Sequence, residues 1–310
     1  MHIPLQSNLP GHCAEAPDHR RAAAAILAAP LLLLSGCLWT TRRLPIPKPP
    51  SITRTVTPGE LVERLNQSWA ALDSLNATVE LQASVLKTAE GTARDYTTFR
   101  GHILIRKPEM LRVLGQVPVL GTRMFDMASD GKNFTLFVPS KSLAVKGAND
   151  LKKKSASQIE NMRPGFFFDA MVVRGLEPDD LYAVVADSET VEDAARKHLF
   201  TVPEYVLSIS RRKPGTNELT PVRVVTFRRD DLMPYQQDIY DSAGNLETQV
   251  DYANYQDFDS VRYPSTITIK RPLEEYQLVL TVESVKENMT LSDDQFQIKI
   301  PEGTKIQNLE

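Results

Sequence analysis

From Leu75 the side chains alternate. Ala77, Val79, Leu81, Ala83 and Val85 are apolar, and Thr78, Glu80, Gln82 and Ser84 between them are polar. A period of two puts the first set on one face and the second on the other, which a half-buried strand satisfies and a helix does not. The same alternation returns in Thr97, Phe99, Gly101, Ile103 and Ile105, up to Pro108. Further short runs predict strands near 110–117, 122–129, 133–138 and 142–146, punctuated by turn residues at Asp130-Gly131 and Pro139-Ser140. Strands at this spacing pair antiparallel, because no long helices intervene to carry parallel crossovers.

The pattern resumes near 198–211, 221–230 and 234–241. Asp241-Ser242-Ala243-Gly244-Asn245 predicts a hairpin turn into a strand over Leu246–Tyr252. Two more strands are expected after Tyr263-Pro264, over 265–271 and 275–287. The chain closes on a short helical turn, Leu291-Ser292-Asp293-Asp294-Gln295-Phe296, followed by Ile298, Ile300 and Pro301-Glu302-Gly303.

Between Asn149 and about Ala195 the alternation breaks. Lys152-Lys153-Lys154 leads into a polar stretch, then into Phe166-Phe167-Phe168, Met171, Val172, Val173 and Leu176. This insert reads as helices or loops that lay an apolar patch on the sheet. The lysine run reads as a solvated loop, with headgroup or partner contact as the alternative. The aromatic run reads as core, while Phe and Met clusters also suit a lipid-binding lid.

One helix precedes the sheet. Thr57-Pro58-Gly59-Glu60 has the spacing of a capping box with proline at the first helical position. Leu61, Leu65, Trp69 and Leu72 then recur on one face. Trp69 on that stripe is a core anchor, with ligand contact as the second reading.

Ahead of the helix lies a segment of different character. Arg20-Arg21 precedes the apolar run Ala22–Leu34, which has secretory h-region length and falls short of the roughly 20 residues of a spanning helix. The run ends in Leu34-Ser35-Gly36-Cys37, which resembles the bacterial lipobox. That resemblance implies removal of residues 1–36 and acylation of Cys37 as the mature N-terminus. Cys13, the other cysteine, would leave with the signal, so a disulfide is the weaker reading of Cys37. The region before Arg20 is long and carries Glu15 and Asp18, consistent with a start downstream of Met1, and Arg20-Arg21 alone is a weak twin-arginine signal. Residues 37–57 read as a lipidated tether. Pro45, Pro47, Pro49 and Pro50 favour polyproline II, at about 3.1 Å per residue. Trp39 is either an interfacial ring or an ordinary tether residue. Leu38 after the cysteine, by resemblance to Gram-negative lipoprotein sorting, favours the outer membrane facing the periplasm.

Composition narrows the function classes. A net charge of −3 gives no basic excess for nucleic acid. With residues 1–36 removed, only His102 and His198 remain of the histidines, and every remaining thiol is the acylated one. Zinc sites built on His and Cys and Cys-His nucleophiles are thereby disfavoured, and no cofactor is expected. The pairs Asp179-Asp180, Asp230-Asp231 and Asp293-Asp294 read as solvated turns before acid-base catalysts, and His102 as a strand residue.

Taken together, the early helix, the long antiparallel meander, the late hairpin with Tyr263-Pro264, and the closing Leu291–Gly303 segment resemble the LolA/LolB-like superfamily of envelope lipoprotein and lipid carriers. The resemblance spans residues 58–310 and implies a mainly β, α+β fold: an incomplete antiparallel barrel with an N-terminal helix and a helical or loop insert at about 149–195 as plug or lid. It also implies an apolar cavity for acyl chains of a lipid or lipoprotein. The candidate cavity and lid residues are Trp69, Phe99, Ile103, Phe166, Phe167, Phe168, Met171 and Val172. The alternative is a structural lipoprotein that uses the same sheet to bind an envelope protein partner. Bulky side chains filling the concave face would favour that reading, and a deep void would favour lipid.

Overall fold

The computed structural model describes residues 53–87, 90–117, 120–149, 164–193 and 198–309. The signal, the lipobox with Cys37, most of the tether and the lysine run lie outside the described residues.

Helix α1 spans Pro58–Ala71. Its start is set by the expected capping box: the Glu60 amide donates to Thr57 Oγ1 at 3.3 Å, and the Thr57 amide donates to Glu60 Oε2 at 2.7 Å. Its far end is held by Lys107, whose Nζ donates to the Trp69 carbonyl at 2.7 Å and lies 4.6 Å over the indole. A cation there suits the exposed carbonyls of a helix C-terminus.

Seven strands follow: β1 Ser74–Lys87, β2 Thr92–Asp95, β3 Phe99–Arg106, β4 Met110–Gln116, β5 Arg123–Ser129, β6 Asn133–Val138 and β7 Leu143–Ala148. Helix α2, Pro164–Met171, comes next, and then β8 Asp180–Asp193, β9 His198–Arg212, β10 Leu219–Arg228, β11 Pro234–Tyr240, β12 Leu246–Phe258, β13 Val261–Arg271, β14 Tyr276–Glu287 and β15 Lys305–Asn308. They join in one sheet of order β15-β7-β6-β5-β4-β3-β1-β14-β13-β12-β11-β10-β9-β8, with β2 paired on β1. The first strand sits in the middle, between β3 and β14. One meander leaves it on each side, and the two outer edges, β8 and β15, do not meet. The result is a sheet that stays open, an incomplete barrel of antiparallel pairs with, among the described residues, one parallel pair, β15 on β7.

Four elements differ from the sequence reading. Residues 180–193, expected within a helical or loop insert, form a strand exposed along most of its length. An edge strand wet on both faces has no alternation to read. Pro264, expected just ahead of a strand, lies inside β13 opposite Tyr255. The pairing of β13 with β14 begins only at Thr266, so Pro264 is locally at an edge and its missing N–H costs no ladder bond. The short strands β2 and β15, four residues each, are not expected from the sequence.

The inner face of the sheet carries two apolar cores. Leu61, Val62 and Leu65 of α1 pack on Tyr205, Leu207, Ile209, Val225 and Phe227 of β9 and β10. Phe166, Phe167, Phe168 and Met171 of α2 pack with β1, β3–β6 and β12–β14 in the larger core. Trp69 joins the two helices, its ring edge-on to Phe168 at 6.4 Å between centroids. Gly175, on the way from α2 to β8, allows this closeness: a Cβ there would lie 2.7 Å from Asn66 Oδ1 and 3.0 Å from the Trp69 ring.

The outside of the sheet is fastened by three arginines. Fully buried Asp126 accepts from Arg112 at 3.0 and 2.8 Å and is 3.2 Å from Arg123. Arg112 also donates to the Gln295 carbonyl at 2.9 Å, and Arg106 bonds Asp293 and lies over the Phe296 ring. These contacts explain why the closing turn docks where it does.

Candidate functional site: an apolar cavity under helix α2

Inward-facing side chains leave a cavity of about 420 Å³ where β1, β14, β3 and β5 curve past α2. One wall is Leu81, Ala83 and Val85 of β1, cross-strand from Leu280, Leu278 and Tyr276. Phe99 and Phe125 form another, edge-to-face at 5.6 Å. Ala83 is the small residue of the lining, and Gly115 makes room for the Phe125 wall: a Cβ on Gly115 would fall 2.5 Å from the Phe125 ring. Phe167 of α2 closes the inner side, while Tyr96 and Met124 are exposed at the margin and Lys141 joins them in the lining. Of its few polar groups, Ser84 Oγ donates to Asp95 at 2.7 Å, while the buried Tyr276 hydroxyl has no hydrogen-bond partner among the described residues. The volume falls within the roughly 300–1,000 Å³ of small-molecule sites.

Helix α2 is fixed unevenly over this space. Its C-terminal side is fastened by polar contacts: Tyr263 donates to the Met171 carbonyl, Gln237 to the Asp169 carbonyl at 2.8 Å, and Arg174 to Asp169 at 2.6 Å. Arg174 also lies 4.6 Å over the Phe168 ring, and buried Arg223 donates to the Gly175 carbonyl at 3.1 Å. Burial pushes the Tyr263 and Tyr252 phenols well up, so both stay neutral donors or acceptors. The Phe166–Phe167 end is held by ring contacts, stacked at 4.3 Å, with Tyr276 edge-on to Phe166 at 6.1 Å.

A second cavity, about 370 Å³, lies beyond Met171, between the end of α1 and the β12–β13 hairpin. Leu65, Trp69, Val172, Tyr255 and Tyr263 line it, together with Arg64, Arg262 and Glu287. Burial raises the Glu287 carboxyl above the ordinary range.

The residues singled out from the sequence thus separate. Phe99 and Phe167 line the first cavity; Trp69, Met171 and Val172 line the second. Ile103 and Phe166 are packed in the larger core, and Phe168 borders a smaller space beside Arg174. Sequence reasoning missed Phe125, Tyr276, Leu278 and the small residues. Inward parity was available for Ala83, but the approach of Phe167 to it is set by tertiary packing alone.

His102 lies on the opposite face of the sheet, with Nδ1 3.4 Å from Thr78 Oγ1. The paired acids are structural where they are described: Asp180 accepts from Arg211 at 2.7 Å, Asp231 caps the Met233 amide at 2.8 Å, and Asp293 holds Arg106. Among the described residues no cluster of three or more potential metal ligands occurs.

No family model matches this chain, and no curated protein does. Solved structures do align with it. A LolA superfamily protein from Nitrosomonas europaea is 16% identical over 79% of this chain and 99% of its own, with a TM-score of 0.47. A putative outer membrane lipoprotein-sorting protein domain from Vibrio parahaemolyticus is 13% identical over 76% and 94%, with a TM-score of 0.47. A DUF1329 family protein from Desulfovibrio piger is 17% identical over 77% and 95%, with a TM-score of 0.48.

Proposed function

We propose that this protein is a membrane-tethered envelope lipoprotein that holds acyl chains of a lipid or lipoprotein in the cavity under α2, for their transport or insertion. The observation that carries the reading is the cavity itself: about 420 Å³ walled mainly by Leu81, Ala83, Val85, Phe99, Phe125, Phe167 and Leu278. Acyl methylenes entering such a space gain about 25 cal/mol for each Å² of apolar area removed from water, without needing directional contacts. Phe167 touches the same surface, so its position governs how much chain the cavity accepts. A ligand that displaces the ring and a helix that restores it compete for one apolar surface, which provides both uptake and release.

The tether is the second part of the proposal. Leu34-Ser35-Gly36-Cys37 supports acylation at Cys37, and two or three acyl chains, at about 0.8 kcal/mol per buried CH₂, make a lasting anchor. Leu38 supports the outer membrane, periplasmic side. The test is native mass spectrometry of the full chain carrying Cys37→Ser, recovered from the periplasm. Co-purified phospholipid or fatty acid supports the reading; an unliganded mass, with no uptake on incubation with fatty acid, supports a scaffold instead. Sedimentation of Cys37→Ser with membranes as strongly as the parent would count against the anchor.

A further inference from the structure

We infer that β8 is a docking edge for an extended, basic polypeptide segment of another protein, which adds to the sheet as one more strand. The two edges of this sheet are treated differently. On one side β7 is covered by the chain's own β15, only four residues long. On the other, β8 runs for fourteen residues and its one neighbour among the described residues is β9. Its pairing with β9 is unbroken from Asp180↔Arg211 to Asp193↔His198. Proteins usually blunt such an edge with a bulge, a proline, a lysine or brevity. β8 has none of these.

Its surface says what fits. Leu181, Tyr182 and Val185 are 44%, 46% and 56% exposed, far more than the strand's inward partners on β9. Parity places Tyr182 and Val184 on the concave face, opposite Ile209 and Leu207, and Leu181, Val185, Asp187 and Glu189 on the outer face. Asp180 is taken up by Arg211. From Asp180 to Asp193 the strand holds acids and no lysine or arginine. A second copy of the same edge therefore finds no ion pair in any register, and sets acids beside acids, which opposes self-pairing. A strand with apolar residues toward Leu181 and Val185 and lysine or arginine toward Asp187 and Glu189 satisfies the whole edge. Its backbone pairs with the amides and carbonyls of the edge, displacing at Ser188 the local bond its amide makes to the Asp187 carboxylate, and its side chains supply selectivity. Past the Arg228↔Glu204 pair β10 ends, and Ser188–Asp193 with the start of β9 continues as a two-stranded ribbon, so the edge stands clear of the rest of the sheet.

The experiment uses the full chain with Cys37→Ser and two synthetic peptides of equal length, one alternating lysine with valine and one alternating glutamate with valine, read by hydrogen exchange. The lysine peptide should bind and slow exchange across 180–193, and the glutamate peptide should not. The double substitution Asp187→Lys with Glu189→Lys, at two exposed positions, should weaken the lysine peptide at least tenfold. Equal binding of both peptides, protection confined to other elements, or a dimer joined through β8 in the absence of peptide would overturn the inference. None of these outcomes bears on ligand uptake by the cavity, so the two proposals stand or fall separately.

Discussion

The phenol of Tyr263 donates to the backbone carbonyl of Met171, joining β13 to the last turn of α2. Both residues are buried, and both line the second cavity. With Gln237 and Arg174 it fastens the C-terminal side of α2 by polar contacts, while Phe166 at the other end meets the Tyr276 ring and the Arg271 guanidinium, 5.4 Å over its centroid.

Removing that hydroxyl leaves the Met171 carbonyl without its partner in a dry place. Tyr263→Phe should destabilise the protein by about 1–3 kcal/mol, the cost of an unsatisfied buried acceptor. The midpoint of urea unfolding should fall with little change in slope, and exchange of the 164–172 amides should quicken. An unchanged midpoint would mean that the bond contributes nothing.

Much of this layout could be read from residue order, and the exceptions have physical causes. Thr57 and Glu60 announce the helix start because capping is local, and β1 announces itself because Val79 and Leu81 are inward while Thr78 and Glu80 are wet. β8 was missed because an edge strand exposed on both sides lacks the hydrophobic pattern that reveals the others. β15 is too short to show one. The cavity was legible only in part: Phe99 and Phe167 were named for their type, whereas Phe125 and Tyr276 line it because of how far the sheet curls, a tertiary property.

The outer fastening is the second test. Asp126 is fully buried between Arg112 and Arg123, and its bonds to Arg112 raise the guanidinium's affinity for its proton. Asp126→Asn leaves Arg112 without its counter-charge, so a loss of about 3–5 kcal/mol is expected, as for breaking a buried pair by removing one partner. Because Arg112 also holds the Gln295 carbonyl, limited proteolysis should cut the 291–309 segment sooner. Resistance equal to the parent would contradict the role given to this cluster.

Glu287 provides a pH test. Burial raises its carboxyl above the ordinary value, so the folded state holds this proton more tightly than the unfolded one. Its contribution is then fully present below the unfolded pKa and is lost as pH rises through the folded one. Glu287→Gln should therefore raise the melting temperature at neutral pH and change it little at a pH below the carboxylate range. An equal gain at both would show that charge is not the cause.

The central claim is that the space under α2 takes an acyl chain, and Ala83 gives the most direct test of it. Ala83 faces that space from β1, so Ala83→Phe should fill it. Titration of a fluorescent fatty acid into the full chain carrying Cys37→Ser, with and without Ala83→Phe, should show saturable binding in the first protein and at least a tenfold loss in the second, with matching melting behaviour. Binding unaffected by the added ring, or no binding to either protein, would contradict the account.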